Sequence, residues 1–109
     1  MKPNIVLVVL DCLREDYSKP IWEVLKPRGF VKYDNVIAPA PWTGPSHASI
    51  FTGLYPSTHG YHKTPDKEIY EISPPLEKFF LKELKERGYT IYWFTANPIL
   101  SPAKGLSLI

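Results

Sequence analysis

The sequence predicts an α/β domain with a mainly parallel sheet flanked by helices. Three observations carry this reading. Residues 4–10, NIVLVVL, are a continuous β-branched apolar run, the pattern of a strand buried on both faces. Helical-period segments follow and alternate with two further strand-like runs, 30–37 and 89–95. No internal repeat or linker interrupts the 109 residues, so residues 1–109 read as a single domain.

After the first run, Ser18 to Lys26 offers a possible N-cap, an early proline, and Ile21, Trp22 and Leu25 at helical spacing. Pro27 and Gly29 end it. Residues 30–37, FVKYDNVI, alternate as a second strand, with Asp34-Asn35 able to bend it. A short helix is predicted over 45–52, opened by Pro45 and closed by Gly53. Leu54 to Ser73 is turn-rich and polar. Ser73-Pro74-Pro75-Leu76-Glu77 is a helix start, with Leu76, Phe79, Phe80, Leu84 and the stem of Arg87 as the buried stripe and Gly88 as the stop. YTIYWFT, 89–95, is the last predicted strand, and an apolar tail broken by two prolines follows.

The bulk properties exclude several classes. A net charge of +2 is too small to argue for a nucleic-acid partner, and the basic residues of Lys82-Glu83-Leu84-Lys85-Glu86-Arg87 alternate with acidic ones as on a solvated helix face. The one cysteine, Cys12, cannot form an internal disulfide, and it reads as a small buried hydrophobe rather than a nucleophile. The run at 5–10 is too short for a membrane span and lacks a signal-peptide cleavage pattern. No membrane partner is expected, and a cytoplasmic location is the default.

Candidate chemistry gathers at the carboxyl ends of the predicted strands, where such sheets bind ligands. Asp11 follows the first run directly. It can coordinate a metal, or cap the next turn Asx-fashion while Arg14 and Asp16 form a surface pair. Thr43 lies just before the helix that Pro45 opens. A helix N-terminus favours phosphate or sulfate, and a hydroxyl in that field can attack phosphorus or sulfur. Thr43 or Ser46 can equally be an N-cap. Gly44 would let backbone approach a ligand closely. His47, His59 and His62 match no closed zinc spacing, and His47 stands out for its place in the first turn of that helix.

The stretches NIVLVVLDCLREDY, APAPWTGPSHASIFTGLYPSTHG and GYTIYWFTANPILS, in that order, closely resemble the amino-terminal part of the sulfatase family of the alkaline phosphatase superfamily. The resemblance runs from Asn4 to about Ser101 and implies a partial alkaline-phosphatase/sulfatase-like domain, incomplete relative to the family. It sets Thr43 at the nucleophile position, Asp11 at a metal-ligand position, and His47 where the family's signature arginine supports the nucleophile. Threonine cannot become the formylglycine of many sulfatases, so phosphoester chemistry suits Thr43 better. Cys12 stands where many relatives have another metal-binding aspartate.

What the resemblance implies is a metal-dependent hydrolase of sulfuric or phosphoric esters. Its cofactor would be a divalent ion (Ca, Mg, Mn or Zn), for which Asp11 and Thr43 alone are too few ligands. Its substrate would be a small phosphate or sulfate ester. The alternative is a catalytically inactive, truncated domain serving as an assembly or binding module, with unpaired sheet edges favouring a homo-oligomer.

Overall fold

The computed structural model describes residues 2–61 and 76–100. These divide between two units, Met1–Val36 and Ile37–Ile109, each of which has its own internal organisation.

In the first unit a 3-10 turn, Glu15–Tyr17, leads into helix α1, Lys19–Leu25, and a second 3-10 turn, Lys26–Arg28. Pro20 sits in the first turn of α1, where a missing N–H costs nothing. Ser18 precedes the helix as predicted but does not cap it with its side chain. Its hydroxyl donates backward to the Glu15 carbonyl at 2.6 Å, the local bond serine offers in competition with capping. Ile21, Trp22 and Leu25 are half-buried, as their spacing predicts, and the segment stops at Gly29. Lys32 bridges Glu15 at 2.9 Å and Asp34 at 3.1 Å. The hydrogen bond to Glu15, then the bond to Asp34 and the charge of both carboxylates, raise the Lys32 ammonium above its ordinary pKa. Asn35 adopts a left-handed φ of 60°, so the predicted bend is real, made by a residue type that tolerates this region.

The mainly parallel sheet flanked by helices is not formed. Among the described residues there is no strand, and 4–10, 30–37 and 89–95 carry no regular secondary structure. Their apolar side chains meet solvent instead: Val6 is 84% exposed and Phe94 90%. The physical reason lies in what a parallel strand requires. It needs partners on both edges and helices over both faces, all supplied by distant sequence. An apolar run specifies the demand for burial without supplying the neighbours. Left in water, each such Val, Leu or Ile forgoes about 1.5–3 kcal/mol.

The second unit is built on helix α2, Thr43–Thr52, followed by the single turn α3, Pro56–His59. Then come a 3-10 turn at Leu76–Lys78, helix α4, Phe80–Glu86, and a 3-10 turn at Pro98–Leu100. α2 begins two residues before the predicted start and ends where Gly53 takes a φ of 68°. Its hub is Phe51, 4% exposed, whose ring centroid lies 5.2 Å from Phe79 and 4.9 Å from Trp93. Tilted ring pairs at such distances add about 0.5–1.5 kcal/mol beyond the area they bury. Leu81 completes the buried cluster, and Leu84, Trp93 and Leu100 pack against it. The Trp93 indole N–H donates to the Leu100 carbonyl at 3.1 Å, and Asn97 Oδ1 accepts from the Ile99 amide, opening the last 3-10 turn.

The long helix predicted from Ser73 is interrupted. Its start at 73–75 lies outside the described residues, and Phe79 is extended (ψ 130°), separating the turn at Leu76–Lys78 from α4. That break resets the helical phase. Phe79 and Leu81 are therefore buried, while Phe80, assigned to the stripe, is exposed, and Arg87 lies on the surface paired with Glu83. Gly88 ends the helix as expected, with φ 81°. Its amide bonds the Lys85 carbonyl and the Tyr89 amide bonds the Leu84 carbonyl, the two bonds of a Schellman cap.

Candidate active site at the start of α2

Trp42, extended at φ −147°, is the residue that precedes α2, and Thr43 is the first residue inside it. Trp42 has no side-chain oxygen, so no side chain closes this end. Neither Thr43 nor Ser46 is the N-cap. The first turn bonds start with the Ser46 amide to the Trp42 carbonyl at 3.3 Å. Pro45, fully buried, has no N–H to leave unsatisfied. Thr43 is half-buried at the end of the helix that carries the partial positive charge.

His47, one turn on, is buried, and its Nδ1 lies 2.9 Å from the Thr43 carbonyl. A carbonyl only accepts, so Nδ1 carries the proton and the Nε2 of the neutral ring does not. The structure thus brings His47 to the backbone of Thr43. His47 also stacks obliquely on Phe51, at 6.2 Å between centroids, which ties this end of α2 to the core.

Gly44 has a different role from the one its sequence context suggests. A Cβ there would stand 2.7 Å from Trp42 Cζ3 and 3.0 Å from Tyr61 Cε1. The absent side chain is what admits the Trp42 and Tyr61 rings, whose centroids are 6.4 Å apart. Tyr61 is buried, and burial pushes its phenol pKa up. Gly44, His47, Ala48, Phe51, Tyr61 and Phe79 line a cavity of about 10 Å³, room for one water at most.

Tyr61 is held by a contact that sequence reasoning did not find. The buried His59, ending α3, accepts the Tyr61 amide at Nδ1 (3.0 Å), and its Nε2 lies 3.0 Å from Ser49 Oγ on α2. Ser49 carries no signal in the sequence that separates it from any other helical serine. The His59-Gly60-Tyr61 spacing, which allows a ring nitrogen to reach the amide two residues on, was the one available hint.

Asp11 belongs to the first unit, where its exposed side chain sits in a turn closed by the Leu13 amide and the Leu10 carbonyl. Cys12, at φ 60°, is exposed rather than buried, because the described residues of the first unit form no buried core to receive it. Its Sγ is 3.8 Å from Asp11 Oδ1. Arg14 and Asp16 form the expected surface pair at 2.8 Å. His62 lies outside the described residues. Among the described residues, no three His, Cys, Asp or Glu side chains come together as a group that could hold a metal ion. No helix of the described residues is long and apolar enough to cross a membrane.

A protein named Sulfatase from Formosa agariphila is 36% identical over 101 residues, covering 81% of this chain and 20% of the relative. The human Ectonucleotide pyrophosphatase/phosphodiesterase family member 1 is 32% identical over 109 residues, covering 94% of this chain and 11% of that protein. Both are alkaline phosphatase superfamily members. The sulfatase-family resemblance holds. This sulfatase-like chain therefore spans a small part of the length of the relatives it matches. No family profile and no solved structure matches it.

Proposed function

We propose that this chain carries the nucleophile-bearing segment of a sulfatase-like hydrolase of sulfuric or phosphoric esters, with Thr43 as the attacking residue. The observation that supports this most directly is the place of Thr43 as the first residue of α2, with His47 bonded to its carbonyl. Attack by Thr43 Oγ1 on sulfur or phosphorus would expel the ester's alcohol, and water would then release the sulfate or phosphate and restore the hydroxyl. The positive end of α2 would favour the ester's anionic oxygens. His47 would keep the first turn in register for that attack. The threonine suits a phosphate ester, as does similarity to a relative named for phosphodiester cleavage. A divalent ion, to which Asp11 would contribute, belongs to the proposal in general terms and would supply charge stabilisation when bound. Turnover of an aryl phosphate diester and an aryl sulfate, each with added Mg²⁺, Mn²⁺, Ca²⁺ or Zn²⁺, tests the reading. Thr43→Ala should lower the rate about 10³-fold or more, the order lost when a nucleophile is removed. Turnover that survives Thr43→Ala, or none with any ion, rejects it.

The exposed apolar run Ile5–Leu10 favours a second reading, an assembly module that associates with copies of itself. Light scattering across a dilution series decides it: a monomer at every concentration removes this reading.

A further inference from the structure

We propose that His59 is a positioning residue for Thr43, acting through the Tyr61 backbone and ring. The claim rests on the reading of Thr43 as the reacting residue, but its geometry stands apart from that reading. His59 is 5% exposed, and each ring nitrogen has a defined partner. The Tyr61 amide can only donate, so Nδ1 must be its acceptor and carry no proton. The ring proton of neutral His59 therefore sits on Nε2, directed at Ser49 Oγ 3.0 Å away.

This is the opposite of the tautomer in which a histidine would take a proton from serine. The Ser49–His59 pair is thus a brace and not a catalytic dyad. One end of the brace is in α2, and the other fixes the backbone of Tyr61. From there the Tyr61 ring reaches the space left by Gly44, the residue after Thr43, where the Trp42 ring also packs. Four residues from three segments, Ser49, His59, Tyr61 and Gly44, form a closed circuit that begins and ends in α2. Its effect is to pack the first turn of α2, at Gly44, against the Tyr61 and Trp42 rings. That is the preorganisation a nucleophile at this position requires.

The test combines a spectroscopic signature with rescue by a conservative variant, on the full chain. In ¹⁵N-labelled histidine spectra at neutral pH, His59 should show a bare Nδ1 and a protonated Nε2. His59→Ala should move the Gly44 amide resonance and weaken the Tyr61–Trp42 ring cross-peaks. His59→Asn, whose Oδ1 can accept the same i+2 amide but does not span to Ser49, should restore both in part. Ser49→Ala should leave the Tyr61 amide bond in place while broadening it. In turnover assays His59→Ala should lower kcat about tenfold with little change in KM, and His59→Asn should recover part of it. A protonated Nδ1 overturns the proposal. So does a Gly44 amide indifferent to His59→Ala, or an Asn variant no better than Ala. Should His59→Ala fail to fold, the tautomer and the Asn variant still decide. If the spectra behave as expected and Thr43-dependent turnover is absent, the brace stands and the catalytic reading falls.

Discussion

In the second unit Phe51 sits within 6.3 Å of four other rings, those of His47, Phe79, Phe80 and Trp93, and packs with Phe79 and Leu81 in the buried cluster. In the first unit Val6, Val8 and Leu10 belong to an equally apolar stretch, yet no described residue before Ile37 is buried. The residues do not differ in hydrophobicity so much as in what brings neighbours to them. A helix carries its own backbone hydrogen bonds and needs only one apolar face covered. An extended run must find both its hydrogen bonds and its burial in other segments. The helical unit satisfies its demand with short elements, and the extended run does not.

The largest test of that contrast is Phe51→Ala, which should cost about 3–5 kcal/mol and collapse the near-ultraviolet signal of Trp93 in urea unfolding. Val8→Ala, at a side chain 72% exposed, should stay within about 0.5 kcal/mol. Equal losses at the two positions would abolish the distinction. Next comes Gly53→Ala, where nothing lies within 4 Å of an added Cβ and only the left-handed φ of 68° resists. It should cost about 1 kcal/mol, measured by thermal melting with far-ultraviolet circular dichroism. The smallest effect belongs to the first unit. Because the Lys32 pKa is raised on folding, its contribution is complete below the ordinary value of 10.5 and is lost as pH rises through the higher folded value. Lys32→Met should therefore lower stability at neutral pH, only slightly because its partners are solvent-exposed, and the difference from the unmodified chain should vanish as pH rises through the folded Lys32 value.

Local features were legible in the sequence. Gly53 and Gly88 end their helices, Ile21, Trp22 and Leu25 share a face, and Asn35 turns the chain, all from residues a few positions apart. The sheet was misread because strand pairing is a property of distant segments. The phase of α4 was misread because a single extended residue, Phe79, interrupts it, and no sequence rule marks that residue. At the candidate site, the place of Thr43 and His47 in the first turns of a helix was legible from Pro45 and Gly53. Ser49, His59 and Tyr61 were not, because their roles exist only once α3 has turned back on α2.

Gly44 has a bearing on how this segment can vary. In most helices a glycine is an invitation to substitute alanine, for a gain of up to about 1 kcal/mol. Here the added methyl would collide with two rings at once. Positions 42, 44 and 61 therefore form a single three-letter word: in a library that randomises all three, alanine at 44 should survive only in company with a smaller side chain at 42 or 61. Diversity at the mouth of α2 would come in sets, and single-site scanning would miss it.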